Sequence, residues 1–184
     1  MRRLRTVPPL AIAALIACSV AGCLPLDPAP LPTIAPTGTP LFSSDEEALA
    51  AAEGAYAAYL AVVDEALATL EDSAIRAVAS GNALAAASES VEQFRSSSYR
   101  QTGTSFFDTT SIAQSSESRT GQVFLQIYAC IDISGTDVID GEGTSVVSLN
   151  RLSRYPVLIS LETAASSQRL VVIEEEVWDG QSFC

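Results

Sequence analysis

Between Val123 and Asp132 the chain alternates without a break. Val123, Leu125, Ile127, Ala129 and Ile131 point one way, continued by Ile133, and Phe124, Gln126, Tyr128, Cys130 and Asp132 point the other, which predicts a β-strand with one face on a core. Upstream the period is helical. Ser44 with Glu47, and Ser43 with Glu46 in a second register, read as capping boxes. Beyond them Leu49, Tyr56, Val63 and Leu70 recur every seven residues with Ala52, Tyr59 and Ala66 alongside, while Glu53, Asp64, Glu65 and Glu71 fall elsewhere. That stripe predicts a long helix lying on its own domain's core; a two-stranded coiled coil is the alternative, with Ala-rich heptads and little charge complementarity against it. Asp72 or Ser73 caps a short helix through Ile75, Val78 and Ala79 that Gly81 and Asn82 end, and a third runs from about Ala83 to Arg95 on Leu84, Ala87, Val91 and Phe94. Tyr99 to Thr110 is β-branched and aromatic, and Gln114 to Thr120 reads as a polar loop. Asp140-Gly141-Glu142-Gly143 predicts a turn into a strand from about Thr144 to Tyr155, which Pro156 bends or interrupts. Val157 to Thr163 and Arg169 to Trp178, joined by Ala164 to Ser167, predict a final hairpin, with one or two of Glu174-Glu175-Glu176 facing outward as an exposed or edge-strand feature that discourages pairing with other chains.

The first 43 residues follow neither period. Three arginines within Met1 to Arg5, an apolar run from Leu10 to Val20 shorter than the ~20 residues a membrane span needs, and small residues before Cys23 make the layout of an export signal. A permanent membrane helix is the alternative, and Arg2-Arg3 leaves general and twin-arginine export both open. Leu24 to Phe42 holds six of the nine prolines, a composition that extends at about 3.1 Å per residue instead of packing, so about 20 residues reach on the order of 60 Å. It reads as a stalk, or else as a ligand for a proline-recognising domain.

Val20-Ala21-Gly22-Cys23 resembles the lipobox of a bacterial lipoprotein. The resemblance implies cleavage before Cys23 by a type II signal peptidase that recognises Val20, Ala21 and Gly22, and attachment of diacylglycerol to the Cys23 thiol. Residues 1–22 are then a signal peptide, 23–43 a lipidated tether and 44–184 a globular domain on the outer face of the cytoplasmic membrane. Of four cysteines, Cys18 departs and Cys23 is acylated, which leaves Cys130 and Cys184. In an exported domain these two pair most economically; the alternative of a free catalytic thiol lacks a His or Lys neighbour to lower its pKa.

Charge narrows the chemistry further. The chain has ten Arg, no Lys and no His; three Arg precede Cys23, leaving seven against 22 acidic side chains and a mature net charge of −15. So acidic a chain does not suit nucleic acid, and membrane attachment falls to the acyl chains and not to anionic headgroups. Without His and Lys, Ser-His-Asp and Cys-His catalysis, most zinc sites, phosphate-loop lysines and Schiff-base chemistry drop out, although a GC-rich codon usage produces the same absences. No cofactor is expected. Asp132, Asp137, Asp140 and Glu142 invite a calcium reading, but their spacing does not follow the EF-hand ladder, so a solvated hairpin and no metal is the expectation. Arg151 and Arg154 hold an acidic ligand or offset neighbouring carboxylates.

Helices followed by antiparallel strands give an α+β order, with N-terminal helices packed on a curved sheet of four to five strands. It is similar to the nuclear transport factor 2-like fold, a cone also used by scytalone dehydratase, ketosteroid isomerase and the polyketide cyclases. The chain also resembles a group of actinobacterial lipoproteins through the lipobox, Tyr128-Ala129-Cys130-Ile131-Asp132-Ile133-Ser134, Asp140-Gly141, Arg151, Pro156-Val157 and Gly180-Gln181-Ser182-Phe183-Cys184. Catalytic members of the wider fold use Asp-His or Tyr-Asp sets within the cone, and this chain departs from the first. Asp132, Tyr128 and Gln126 share a strand face and would line such a cavity, Asp132 as base and a Tyr as donor; otherwise that face is simply solvated, with Cys130 on it to reach Cys184. The expectation is a non-catalytic envelope binding module with a protein partner or a small apolar ligand, and the alternative is a cavity enzyme of cyclase or isomerase type using Asp132.

Overall fold

The computed structural model describes residues 41–164 and 167–184, so the lipobox, Cys23 and the proline stalk lie outside the described residues. Helix α1 spans Asp45–Thr69. Its cap follows the Ser44–Glu47 register, with Ser43 bonded to Glu47 and not to Glu46: Ser44 Oγ accepts from the Glu47 N–H at 3.2 Å, while the Glu47 carboxylate accepts from Ser43 N–H at 2.7 Å and from Ser43 Oγ at 2.6 Å. Ala52, Tyr56, Tyr59 and Ala66 are buried as the stripe predicts, whereas Leu49 and Val63 only flank the core. Asp64 is a correction, for it is buried. It accepts from Ser105 N–H at 2.7 Å, from Ser105 Oγ at 2.8 Å and from Gln101 Nε2 at 2.5 Å, so the helix fastens β1 and the connection to β2 through a satisfied carboxylate.

The predicted short helix is a single 3-10 turn, Ile75–Ala77, and α2 spans Gly81–Ser97, so Gly81 and Asn82 open α2 and do not close its predecessor. Six strands follow: β1 Arg100–Thr102, β2 Phe106–Glu117, β3 Val123–Asp132, β4 Asp137–Ile139, β5 Arg154–Thr163 and β6 Leu170–Val177. All pair antiparallel, in a four-stranded sheet of order β2-β3-β5-β6 and a two-stranded sheet β1-β4. The helices pack on one face of the larger, curved sheet, an α+β fold whose sheets do not close on themselves. Its core joins Tyr56 and Val91 to Leu125, Ile127, Ile159 and Leu161, all fully buried.

Three strand expectations need correction. The segment read as a polar loop is the end of β2, where Ser115, Ser116 and Glu117 pair with Leu125, Phe124 and Val123 along an exposed edge that needs no apolar side chains. No strand runs from Thr144; after one bridge between Ile139 and Ser145 the chain loops outward until Arg154, held by Arg151, whose guanidinium donates to the carbonyls of Ile133 and Thr136. Pro156 sits inside β5, paired with Cys130. Its carbonyl accepts from Trp178 N–H at 2.9 Å, so its missing N–H faces the side on which β6 has already ended and breaks no ladder bond. The other end of β6 is covered by the turn before α2, where Ser80 N–H donates to the Val172 carbonyl and Val172 N–H to the Val78 carbonyl.

Candidate functional site

The strand face carrying Gln126, Tyr128 and Asp132 points away from the helices, because it alternates with the buried Leu125, Ile127, Ala129 and Ile131. Gln126 Nε2 donates to Ser160 Oγ at 3.0 Å. Tyr128 packs edge-on against Trp178 and Phe183, with ring centroids 5.0 and 5.6 Å away. Cys130 is joined to Cys184, and that bridge draws Phe183 onto the ring. Asp132 accepts from Ser134 N–H at 2.8 Å and faces Arg154 Nη1 at 3.8 Å, while Arg154 also pairs with Asp108. The Ser134 hydrogen bonds, helped by the Arg154 charge, hold the Asp132 carboxyl below its ordinary range. This chemistry is that of a solvated ion pair beside an aromatic cluster. Asp132 is not enclosed in an apolar wall, and it lies on the opposite face of β3 from the buried cluster that the helices cover.

The acidic stretch before the loop serves the backbone. Asp137 Oδ1 accepts from Val138 N–H and Ser145 Oγ, and Asp140 Oδ1 accepts from the N–H groups of Glu142 and Thr144, an Asx turn that closes the hairpin. Among the described residues no group of carboxylates is gathered as cation ligands.

The carboxylate that turns toward the core is Glu175, a half-buried member of the run of which one or two were expected to face outward. A β-bulge is the cause. Between the pairs Ser160↔Glu174 and Leu161↔Val172 the register shifts by one, leaving Ile173 unpaired. Val172 lies on the core face before the bulge, and Glu175, opposite the fully buried Ile159, lies on it after. Tyr56 Oη donates to Glu175 Oε2 at 2.8 Å. Burial raises the Glu175 pKa against the opposing pull of that hydrogen bond, and burial together with the Glu175 charge raises the phenols of Tyr56, Tyr59 and Tyr155. An acid and a phenol are thus paired, but Tyr56 is fully enclosed and stacks edge-on with Phe107 at 4.9 Å. The apolar run Leu170 to Ile173 departs from strict alternation, but it does not by itself mark a bulge, which only the pairing with β5 reveals.

The outward loop before β5 is apolar. Val146, Leu149 and Leu152 are 41%, 103% and 68% exposed within seven residues. Behind the loop lies a groove of about 480 Å³ between the end of α2 and the β1-β4 ribbon, lined by Phe94, Tyr99, Val138, Val146, Val147 and Arg151. Phe94 and Tyr99 meet edge-on at 6.3 Å, and the Tyr99 N–H donates to the Phe94 carbonyl at 2.8 Å, which turns the chain at the end of α2.

No protein-family profile and no curated sequence matches this chain. Among solved structures it is similar to the intermembrane-space region of the chloroplast protein ARC6, with 11% identity over 70% of this chain and 95% of that one and a TM-score of 0.50. A periplasmic fragment of TraM matches with 12% identity over 73% and 96% and a TM-score of 0.47. Aln2 from a Streptomyces species matches with 15% identity over 70% and 91% and a TM-score of 0.38. At 11% identity the ARC6 likeness establishes a shared fold and goes no further.

Proposed function

We propose that the chain is a lipid-anchored envelope protein, tethered through diacylglyceryl-Cys23 and a proline stalk, whose folded domain is a non-catalytic module for binding a partner outside the cytoplasm. The observation that carries the binding role is the apolar loop. Three large hydrophobic side chains exposed within seven residues, on a chain of net charge −12, are a contact surface without a cover. The lipobox supports the anchor, and the disulfide supports the oxidising compartment. Crosslinking in the native envelope tests the reading. One protein recovered in constant proportion by the unaltered chain, and lost by Leu149→Asp with Leu152→Asp, supports it; recovery unchanged by the double substitution removes it.

The competing reading, a cavity enzyme of cyclase or isomerase type, rests on Asp132 with a Tyr. The ion pair of Asp132 with Arg154 on the outer sheet face and the enclosure of Tyr56 give it less support.

A further inference from the structure

Arg151 is the half-buried cation of the groove, and no carboxylate of the described residues pairs with it. Its Nη2 donates to the carbonyls of Ile133 at 3.0 Å and Thr136 at 2.7 Å, and its Nη1 to Thr136 Oγ1 at 3.3 Å. Three of the five guanidinium N–H groups are therefore used by neutral acceptors and two are left. The backbone bonds fix the planar group in place, so a ligand that meets it need not immobilise a long side chain first. Next to it stand the rings of Phe94 and Tyr99 and the side chains of Val138 and Val146. The volume of about 480 Å³ lies within the range of small-molecule sites.

We infer that this groove binds a small amphipathic monocarboxylate, with its apolar body along Phe94, Tyr99, Val138 and Val146 and a carboxylate oxygen on a remaining N–H of Arg151. Single charge follows from the residues present. One guanidinium without a second cation in the groove matches one carboxylate, and a chain of net charge −12 repels a dianion more strongly than a monoanion. A cationic amphiphile would face Arg151 itself, and a neutral alcohol accepts from the guanidinium through its hydroxyl but without the charge that strengthens a carboxylate's hydrogen bond. The inference deepens the binding-module reading by naming a ligand class and a site, and rests on that reading for its purpose.

Calorimetric titration of the full chain with octanoate, 1-octanol and octylamine tests it. Octanoate binds, 1-octanol binds at least tenfold more weakly and octylamine does not bind. Arg151→Gln weakens octanoate at least tenfold. Because Arg151 also ties the loop to Ile133 and Thr136, Val146→Trp is the second variant: it fills the groove, leaves the guanidinium bonds in place and abolishes octanoate binding. Equal affinity for 1-octanol and octanoate, or octanoate binding untouched by Val146→Trp, overturns the inference. Leu149→Asp with Leu152→Asp lies outside the groove lining and leaves octanoate binding intact, so loss of partner capture and loss of the ligand site are separate outcomes.

Discussion

Removing one oxygen atom, with Tyr56→Phe, isolates the energetics of the half-buried Glu175. The ring keeps its place, fully buried and edge-on to Phe107, so no cavity opens and the change is confined to the hydroxyl. That hydroxyl is the one side-chain donor to Glu175 among the described residues, at 2.8 Å. A hydrogen bond to a charged acceptor contributes about 1.5–3 kcal/mol and a neutral one about 1 kcal/mol. Tyr56→Phe should therefore cost about 2 kcal/mol where Glu175 is ionised, and about 1 kcal/mol in a Glu175→Gln background where the acceptor is a neutral amide. Urea unfolding of the four chains, read at constant m-value, measures both steps of the cycle. The pH dependence has a fixed sign. Glu175 has a folded pKa above its unfolded one, so its protonated form is fully stabilising below the unfolded value, near 4.3, and that stability is lost as pH rises through the folded value. Glu175→Gln should remove this loss and gain stability relative to the unaltered chain at neutral pH. A cost for Tyr56→Phe below about 0.5 kcal/mol, set against the ordinary value of a charged hydrogen bond, would refute the reasoning. So would an equal cost with Glu or Gln at position 175.

Three further substitutions probe the scaffold. Gly103 has φ +77°, and a Cβ there would sit 1.9 Å from the Gly135 carbonyl oxygen, so Gly103→Ala must move backbone and should cost more than about 3 kcal/mol in urea unfolding. Thr109 is a β-branched residue at φ +54°, on the β2 side of an irregular stretch of pairing; left-handed backbone costs about 1–2 kcal/mol and glycine returns about 0.5–1 in chain entropy, so Thr109→Gly should raise stability by roughly 0.5–1 kcal/mol. Cys184→Ser opens a bridge of sequence separation 54 and should cost roughly 2–4 kcal/mol by the same assay, and Trp178 fluorescence should change as Phe183 leaves Tyr128.

What the chain disclosed in advance follows a physical divide. Features set by local chemistry were readable: Ser44 and Glu47 determine where α1 begins, the alternation from Val123 determines the core strand, and the two cysteines left after the lipobox are the ones the structure joins. Features set by what packs alongside were not. Asp64 looks like an outward position of α1 until Gln101 of β1 and Ser105 beyond it supply its donors. Pro156 looks like a break until the neighbouring strand is seen to end beside it. Glu175 changes side because one residue, Ile173, is extra on β6, and a bulge belongs to the pairing of two strands and not to either sequence. The groove at Arg151 was half legible: an arginine for an acidic ligand could be named, but its apolar walls come from α2, β4 and the loop at Val146, which only the fold brings together.

The anchored state is tested most directly by intact-mass spectrometry of the protein extracted from the membrane fraction of its own host. A lipid-anchored protein gives a chain that begins at Cys23 and carries diacylglycerol on that residue. A chain that retains Met1, or one whose Cys23 is unmodified, contradicts the anchored state.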